Sequence, residues 1–160
     1  MNENIIQMAR DEFNLLVGER TAEEVKIKIG SAQTQKDRMK TQIRGRDLVT
    51  GLQKEIIVTD EQVRKALSRS VRMIVNNIRS VIEETPPELL ADIMTRGITL
   101  TGGGALLRGL DKLIADETQM PVGVVDDPLT TVVRGCGIVL EDLPSLKDVL
   151  TLTEFEQIPR

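Results

Sequence analysis

In Gly97-Ile98-Thr99-Leu100-Thr101-Gly102-Gly103-Gly104-Ala105-Leu106-Leu107-Arg108-Gly109-Leu110, a short apolar strand pattern runs into three consecutive glycines. An amphipathic helix pattern follows, carrying Leu106, Leu107, Leu110, Leu113 and Ile114. Consecutive glycines surrender much chain entropy on folding, which a stable fold accepts where the backbone must turn sharply or be closely approached. A strand-to-helix turn also directs free N–H groups outward, where nucleotides and other anions bind. The same stretch fits a tight connection in an α/β protein that holds no ligand. It matches neither familiar phosphate signature. No Gly-Lys-Ser/Thr follows, and Leu107 stands where a dinucleotide fingerprint needs its third glycine. A nucleotide held here would have the glycines beside its base or sugar, not its phosphates.

Upstream, residues 3–17 carry Ile5, Ile6, Met8, Ala9, Phe13, Leu16 and Val17 near a helical period, with Gly18 as the expected stop. Thr21-Ala22-Glu23-Glu24 has the form of a capping box, with Thr21 as N-cap and Glu24 folding back. Glu23 and Lys26, three apart, then share one side of the helix, as a surface ion pair would. Lys26 to Gly30 alternates like a strand, which leaves the helix end open. Met39, Thr41 and Ile43 alternate with polar residues as a half-buried strand, Gly45-Arg46-Asp47 and Thr50-Gly51 read as turns, and Leu52 to Val58 reads as a second strand. These pieces predict a small antiparallel sheet in a satellite subdomain.

Thr59-Asp60-Glu61-Gln62 is another capping box. It opens a long helix with Val63, Leu67, Val71, Ile74, Ile78 and Val81 or Ile82 on one stripe, and its basic residues mostly off it. Pro86-Pro87 ends that helix, and Glu88 to Met94 forms a short one. Beyond the glycines, Pro121 to Val125 predicts a buried strand, and Asp127-Pro128 the start of a helix with Val132, Val133, Cys136, Val139 and Leu140 on its apolar face. Gly135 and Gly137 inside that helix imply close packing, and Cys136 reads as a buried small hydrophobe. Residues 141–160 are a polar tail with a modest stripe of Leu146, Val149 and Leu150.

At 160 residues, 40% hydrophobic and 29% charged, the chain has enough apolar content for one core or a core with a small satellite. A net charge of −4 gives no basic surplus for nucleic acid, and two phenylalanines give no stacking platform. With no histidine and one cysteine, the common zinc sets, Cys–His dyads and histidine triads are excluded, as is an internal disulfide. No apolar run reaches the roughly 20 residues of a membrane span, and Met1-Asn2-Glu3-Asn4 lacks the pattern of a signal peptide. The expected location is cytoplasmic.

Arg96 to Asp111, around the glycines, resembles the adenosine motif of the MreB family of bacterial actin-like proteins. Gly18-Glu19-Arg20-Thr21-Ala22-Glu23-Glu24-Val25-Lys26, Thr85-Pro86-Pro87-Glu88-Leu89 and Asp126-Asp127-Pro128-Leu129-Thr130 are similar to that family too, in its order. The resemblance covers roughly residues 1–150. It implies an α/β, actin-like (ribonuclease H-like) ATPase lobe, incomplete, built from residues 1–30 and 66–150. Residues 31–65 would be a small α+β satellite subdomain and 151–160 a carboxy-terminal tail. It also implies ATP as ligand, with Glu23 and Lys26 toward its sugar and base and Gly102, Gly103, Gly104 and Leu106 completing the site. The family's phosphate loops and catalytic glutamate match nothing in this chain, so Mg²⁺ is expected only with the other lobe, and no ATP hydrolysis by this chain alone. Met1 falls where the family has a Gly-Asp-x-Met-Asp segment, so the match is to its carboxy-terminal part. The implied partners are other copies in filaments that direct rod shape and wall growth, and membrane-linked cell-shape proteins, without direct membrane contact. An alternative from another class is a Rossmann-like enzyme such as a methyltransferase, with Asp126 holding a ribose. Chaperone ATPases and sugar kinases share the turn but not Thr-Pro-Pro-Glu-Leu or Asp-Pro-Leu-Thr.

Overall fold

A computed structural model describes residues 1–146, so Val149 and Leu150 of the expected tail lie outside the described residues. The chain is mixed α/β. Helix α1 (Asn2–Phe13) buries Ile5, Met8 and Ala9 at helical spacing. It stops before the expected Gly18, because Asn14 adopts a left-handed conformation (φ 52°) and its N–H closes onto Arg10 O at 3.0 Å. That early exit frees Leu15–Leu16 to form strand β1, where Leu15 is fully buried.

Helix α2 (Glu19–Ile29) also begins earlier than its capping box predicts. Ala22 N–H already bonds Gly18 O at 3.1 Å, so Thr21 lies inside the first turn and Gly18 is the cap. Glu24 therefore pairs outward with Arg20 at 3.3 Å. The helical periodicity wins over the strand-like alternation from Lys26 onward, because Val25 and Ile29 are both buried on one side.

Strands β2 (Lys40–Asp47) and β3 (Gln53–Thr59) pair antiparallel with Ile43 opposite Ile56, and β1 joins the other edge of β2 with Leu15 opposite Asp47. The alternation expected of β2 holds, with Ile43 in the core and Lys40, Gln42 and Arg44 exposed. Gly45-Arg46-Asp47 is strand and not turn. A Cβ on Gly45 would fall 2.3 Å from Leu16 O, so glycine is what lets β1 lie alongside. Ile43 and Val58 join the same buried cluster as α1, α2 and the next helix.

The turn itself is Leu48 to Gly51. The Asp47 carboxylate accepts from Val49 N at 2.8 Å and Thr50 N at 3.2 Å, and Lys54 lies 3.0 Å away. The Val49 N–H, then Lys54, then the Thr50 N–H hold the Asp47 carboxyl below its ordinary value of 3.8. A lowered folded value means the turn's contribution is complete above the unfolded carboxylate value and is lost as pH falls through the folded one. The Val49 and Thr50 amide resonances should therefore shift together below pH 3.8, and the shared step should vanish in Asp47→Ala. Amides that ignore pH in the native chain would contradict this.

Helix α3 (Asp60–Glu84) has the expected capping box. Thr59 Oγ1 accepts from Gln62 N at 3.4 Å and Gln62 Oε1 from Thr59 N at 3.0 Å. Its buried row is Val63, Leu67, Val71 and Val75, so Val75 takes the place expected for Ile74, and Val81 is exposed. Helix α4 (Pro87–Arg96) starts on Pro87, one residue before the expected Glu88, and leads through Gly97 into β4 (Ile98–Leu100). The predicted single helix after the glycines is broken: a 3-10 turn spans Gly103–Leu106, and α5 (Leu110–Thr118) starts after Gly109 (φ 73°). Strand β5 (Val122–Val124) pairs parallel with β4 and is half-exposed where a buried strand was expected.

Helix α6 (Thr131–Glu141) differs most from expectation. Its N-cap is Thr130, after Asp127 turns the chain at φ 49°. Val132, Val133 and Leu140 are 66–74% exposed, Cys136 is exposed, and a Cβ on Gly135 or Gly137 would meet nothing within 4 Å. Neither close packing at these glycines nor a buried Cys136 holds, because nothing among the described residues covers this helix. No described helix is long and apolar enough to cross a membrane.

Candidate functional site

A cavity of about 320 Å³ opens between α2 and the glycine segment, a volume in the range of small-molecule sites. Helix α2 supplies Glu23, Lys26, Ile27 and Gly30. These positions recur at helical spacing, so they share one face, and the neighbouring Ala22, Val25 and Ile29 anchor the helix in the core beside it. Burial of the anchor face aims the polar pair at the cavity.

The facing wall is Gly103, Gly104, Leu106 and Leu107, with Leu129 and Met1 at its edges. Strand β4 brings the chain in, and Gly102 (φ 78°) turns it. Gly102 N–H and the Thr101 hydroxyl both donate to Pro128 O, at 2.8 and 3.3 Å, which fastens the turn to the segment carrying Leu129. Gly102 thus shapes the turn from behind and is not itself among the lining residues, and its N–H does not point to an anion as the strand-to-helix reading suggested. A Cβ on Gly103 would sit 3.3 Å from Leu129, whereas one on Gly104 would enter open space. The 3-10 winding separates the two leucines. Leu106 stands out, 55% exposed, against the cavity, while Leu107 goes down into the core.

Among the described residues, the ionisable side chains of the lining are Glu23 and Lys26, 3.9 Å apart. Lys26 is drawn more closely to Asn2 Oδ1, at 2.9 Å, and its side chain is 25% exposed against 54% for Glu23. An apolar slot with one cation and one anion at its side suits a flat ring system bearing hydroxyl groups. Among the described residues, no nucleophile or general-base pair lines it. Asp126, the ribose ligand of the enzyme alternative, is exposed and lies off the cavity.

Five of the six residues expected at the site line this one cavity: Glu23, Lys26, Gly103, Gly104 and Leu106. Sequence reading missed Ile27, Gly30, Leu107, Leu129 and Met1. Ile27 and Gly30 were accessible in principle, since they extend the spacing of Glu23 and Lys26 along the same helix face. Leu129 had no such signal, because its place depends on the hook to Pro128.

The family described as MreB/Mbl protein matches residues 1–148. The cell shape-determining protein Mbl of Bacillus subtilis (strain 168) is 45% identical over 142 residues, covering 89% of this chain and 43% of that protein. The cell shape-determining protein MreB of Escherichia coli (strain K12) is 43% identical over 140 residues, covering 88% of this chain and 40% of its own length. The chain thus spans less than half the length of these relatives. Among solved structures, MreB5 of Spiroplasma citri bound to ADP superposes with a TM-score of 0.85 at 38% identity, over 92% of this chain and 44% of that one. A MamK double helical filament, at 21% identity and a TM-score of 0.76 over 89% of this chain and 44% of that one, shares the fold. Nothing in these matches favours a Rossmann-like methyltransferase. A match running nearly the whole chain, together with the shared actin-like architecture, makes this chain a member of the MreB/Mbl family of cell-shape cytoskeletal proteins.

Proposed function

We propose that the cavity between α2 and the glycine segment is the adenosine side of an ATP site, and that the full-length protein forms nucleotide-gated filaments organising rod-shaped wall growth. The observation that carries this reading is the convergence of Glu23 and Lys26 with Gly103, Gly104 and Leu106 on one cavity from distant parts of the chain. Glu23 and Lys26 face the sugar and the base edge. Gly103 and Gly104 let the ring lie against backbone, Leu106 covers it, and Gly102 turns the chain into place. The Spiroplasma citri MreB5 structures, bound to ADP and to AMPPNP, support a nucleotide as the ligand.

Among the described residues, nothing lining this cavity would activate water or hold Mg²⁺ at a γ-phosphate, the requirements of phosphoryl transfer. Those functions belong to the other lobe, and this chain alone is inactive. MamK filament structures support self-association as the mode of assembly. Membrane-linked cell-shape proteins are the other partners, and the site of action is the cytoplasm.

Calorimetry with ATP on this chain, beside a version completed with an amino-terminal lobe, tests the reading. Binding by the completed version alone is expected. Tight binding by this chain alone would overturn the split site, and so would ATP turnover above that of a matched empty preparation.

A further inference from the structure

The two walls of the cavity meet at residues 30–32 and 107–109. Ser31 and Arg108 form a parallel bridge, and Ala32 N–H donates to Arg108 O at 2.8 Å. The Arg108 side chain then crosses the seam. Its Nε donates to Gly30 O at 3.1 Å, its Nη2 to Lys28 O at 3.3 Å, and its Nη1 lies against the Met39 sulfur. Lys28 and Gly30 sit at the end of α2, where carbonyls lack helical partners and the helix carries its partial negative charge. Arg108 is therefore a C-terminal cap for α2, delivered from the opposite wall.

No carboxylate lies within ion-pair distance of Arg108 among the described residues. Its guanidinium is half-buried and directed to the α2 end. Lys26 precedes Lys28 by two residues on one wall, and Leu106 precedes Arg108 by two on the other. Gly30 and Leu107, both in this seam, themselves line the cavity. Ser31, 1% exposed and with no hydroxyl partner among the described residues, is buried in the same seam.

We propose that Arg108 is a positioning residue of the nucleotide site: by capping α2 from the glycine-segment side, it sets the separation of the two walls. This rests on the adenosine reading above. Adenosine is the probe of choice, because it engages the two walls without the phosphate loops.

In the completed protein, Arg108→Ala should raise the adenosine dissociation constant about tenfold, and Arg108→Lys, which keeps one donor, should recover part of it. Val71→Ala, a remote core change, supplies the control for lost stability and should leave adenosine affinity unchanged. Spin labels at Glu24 and Lys112, in a Cys136→Ser background, read the wall separation without ligand. Arg108→Ala should broaden a narrow distance distribution. A narrow distribution in Arg108→Ala, or unchanged adenosine affinity, would overturn the positioning role while the nucleotide reading stands. An affinity loss no greater than that of a Val71→Ala protein of equal melting temperature would also overturn it. Failure of the unsubstituted completed protein to bind adenosine would instead overturn the nucleotide reading, and the proposal with it.

Discussion

Gly97→Ala is expected to destabilise the protein by about 3 kcal/mol, lowering its melting temperature by roughly 10 °C for a chain of this size. Gly97 lies at φ 82° and ψ −175°, a region that residues with a Cβ rarely enter. The methyl group would also fall 2.5 Å from Pro121 O. That carbonyl already accepts the first bond of the β4–β5 pair, from Ile98 N at 2.7 Å. Strain and collision therefore act together, and relieving either breaks the start of the ladder. The consequence reaches the cavity because β4 feeds the glycine segment into its wall. Thermal unfolding of the variant checks this. A melting temperature near that of the parent would mean that the backbone at 97 relaxes without cost.

Lys26→Ala, in the protein completed with its other lobe, should weaken ATP binding about tenfold or more, the scale of a hydrogen bond to a charged group. Glu23→Ala should act in the same direction and less strongly, since that side chain is the more exposed of the two, 54% against 25%. Neither change should unfold the protein. The pair is 3.9 Å apart and partly solvated, and such surface pairs contribute about 0–1 kcal/mol. Equilibrium binding of ATP together with thermal melting separates the two effects. Unchanged affinity in both variants would leave the pair as a surface salt bridge.

How much of this was legible beforehand differs from element to element. The second capping box was read correctly because Thr59 and Gln62 satisfy each other locally, with no help from the rest of the chain. The first, at Thr21, was not, because the α2 backbone already closed onto Gly18 one turn earlier. Gly45 looked like punctuation, yet it is a strand residue whose missing side chain admits β1. The glycine run was read as a turn running straight into a helix, but its 3-10 winding, which leaves Leu106 exposed and buries Leu107, was not.

Taken alone, the sequence determined the mixed α/β class, the long α3 with its cap, the strand alternation and the pairing of Glu23 with Lys26. These depend on side-chain period and on neighbours within one or two turns. The tertiary structure alone decided that α2 faces the glycine segment, that Leu129 joins the cavity through the hook to Pro128, and that Arg108 ties the walls together. Each of those contacts joins residues far apart in the chain, and local periodicity carries no record of which distant backbone carbonyl a side chain or an N–H will meet once the core has closed.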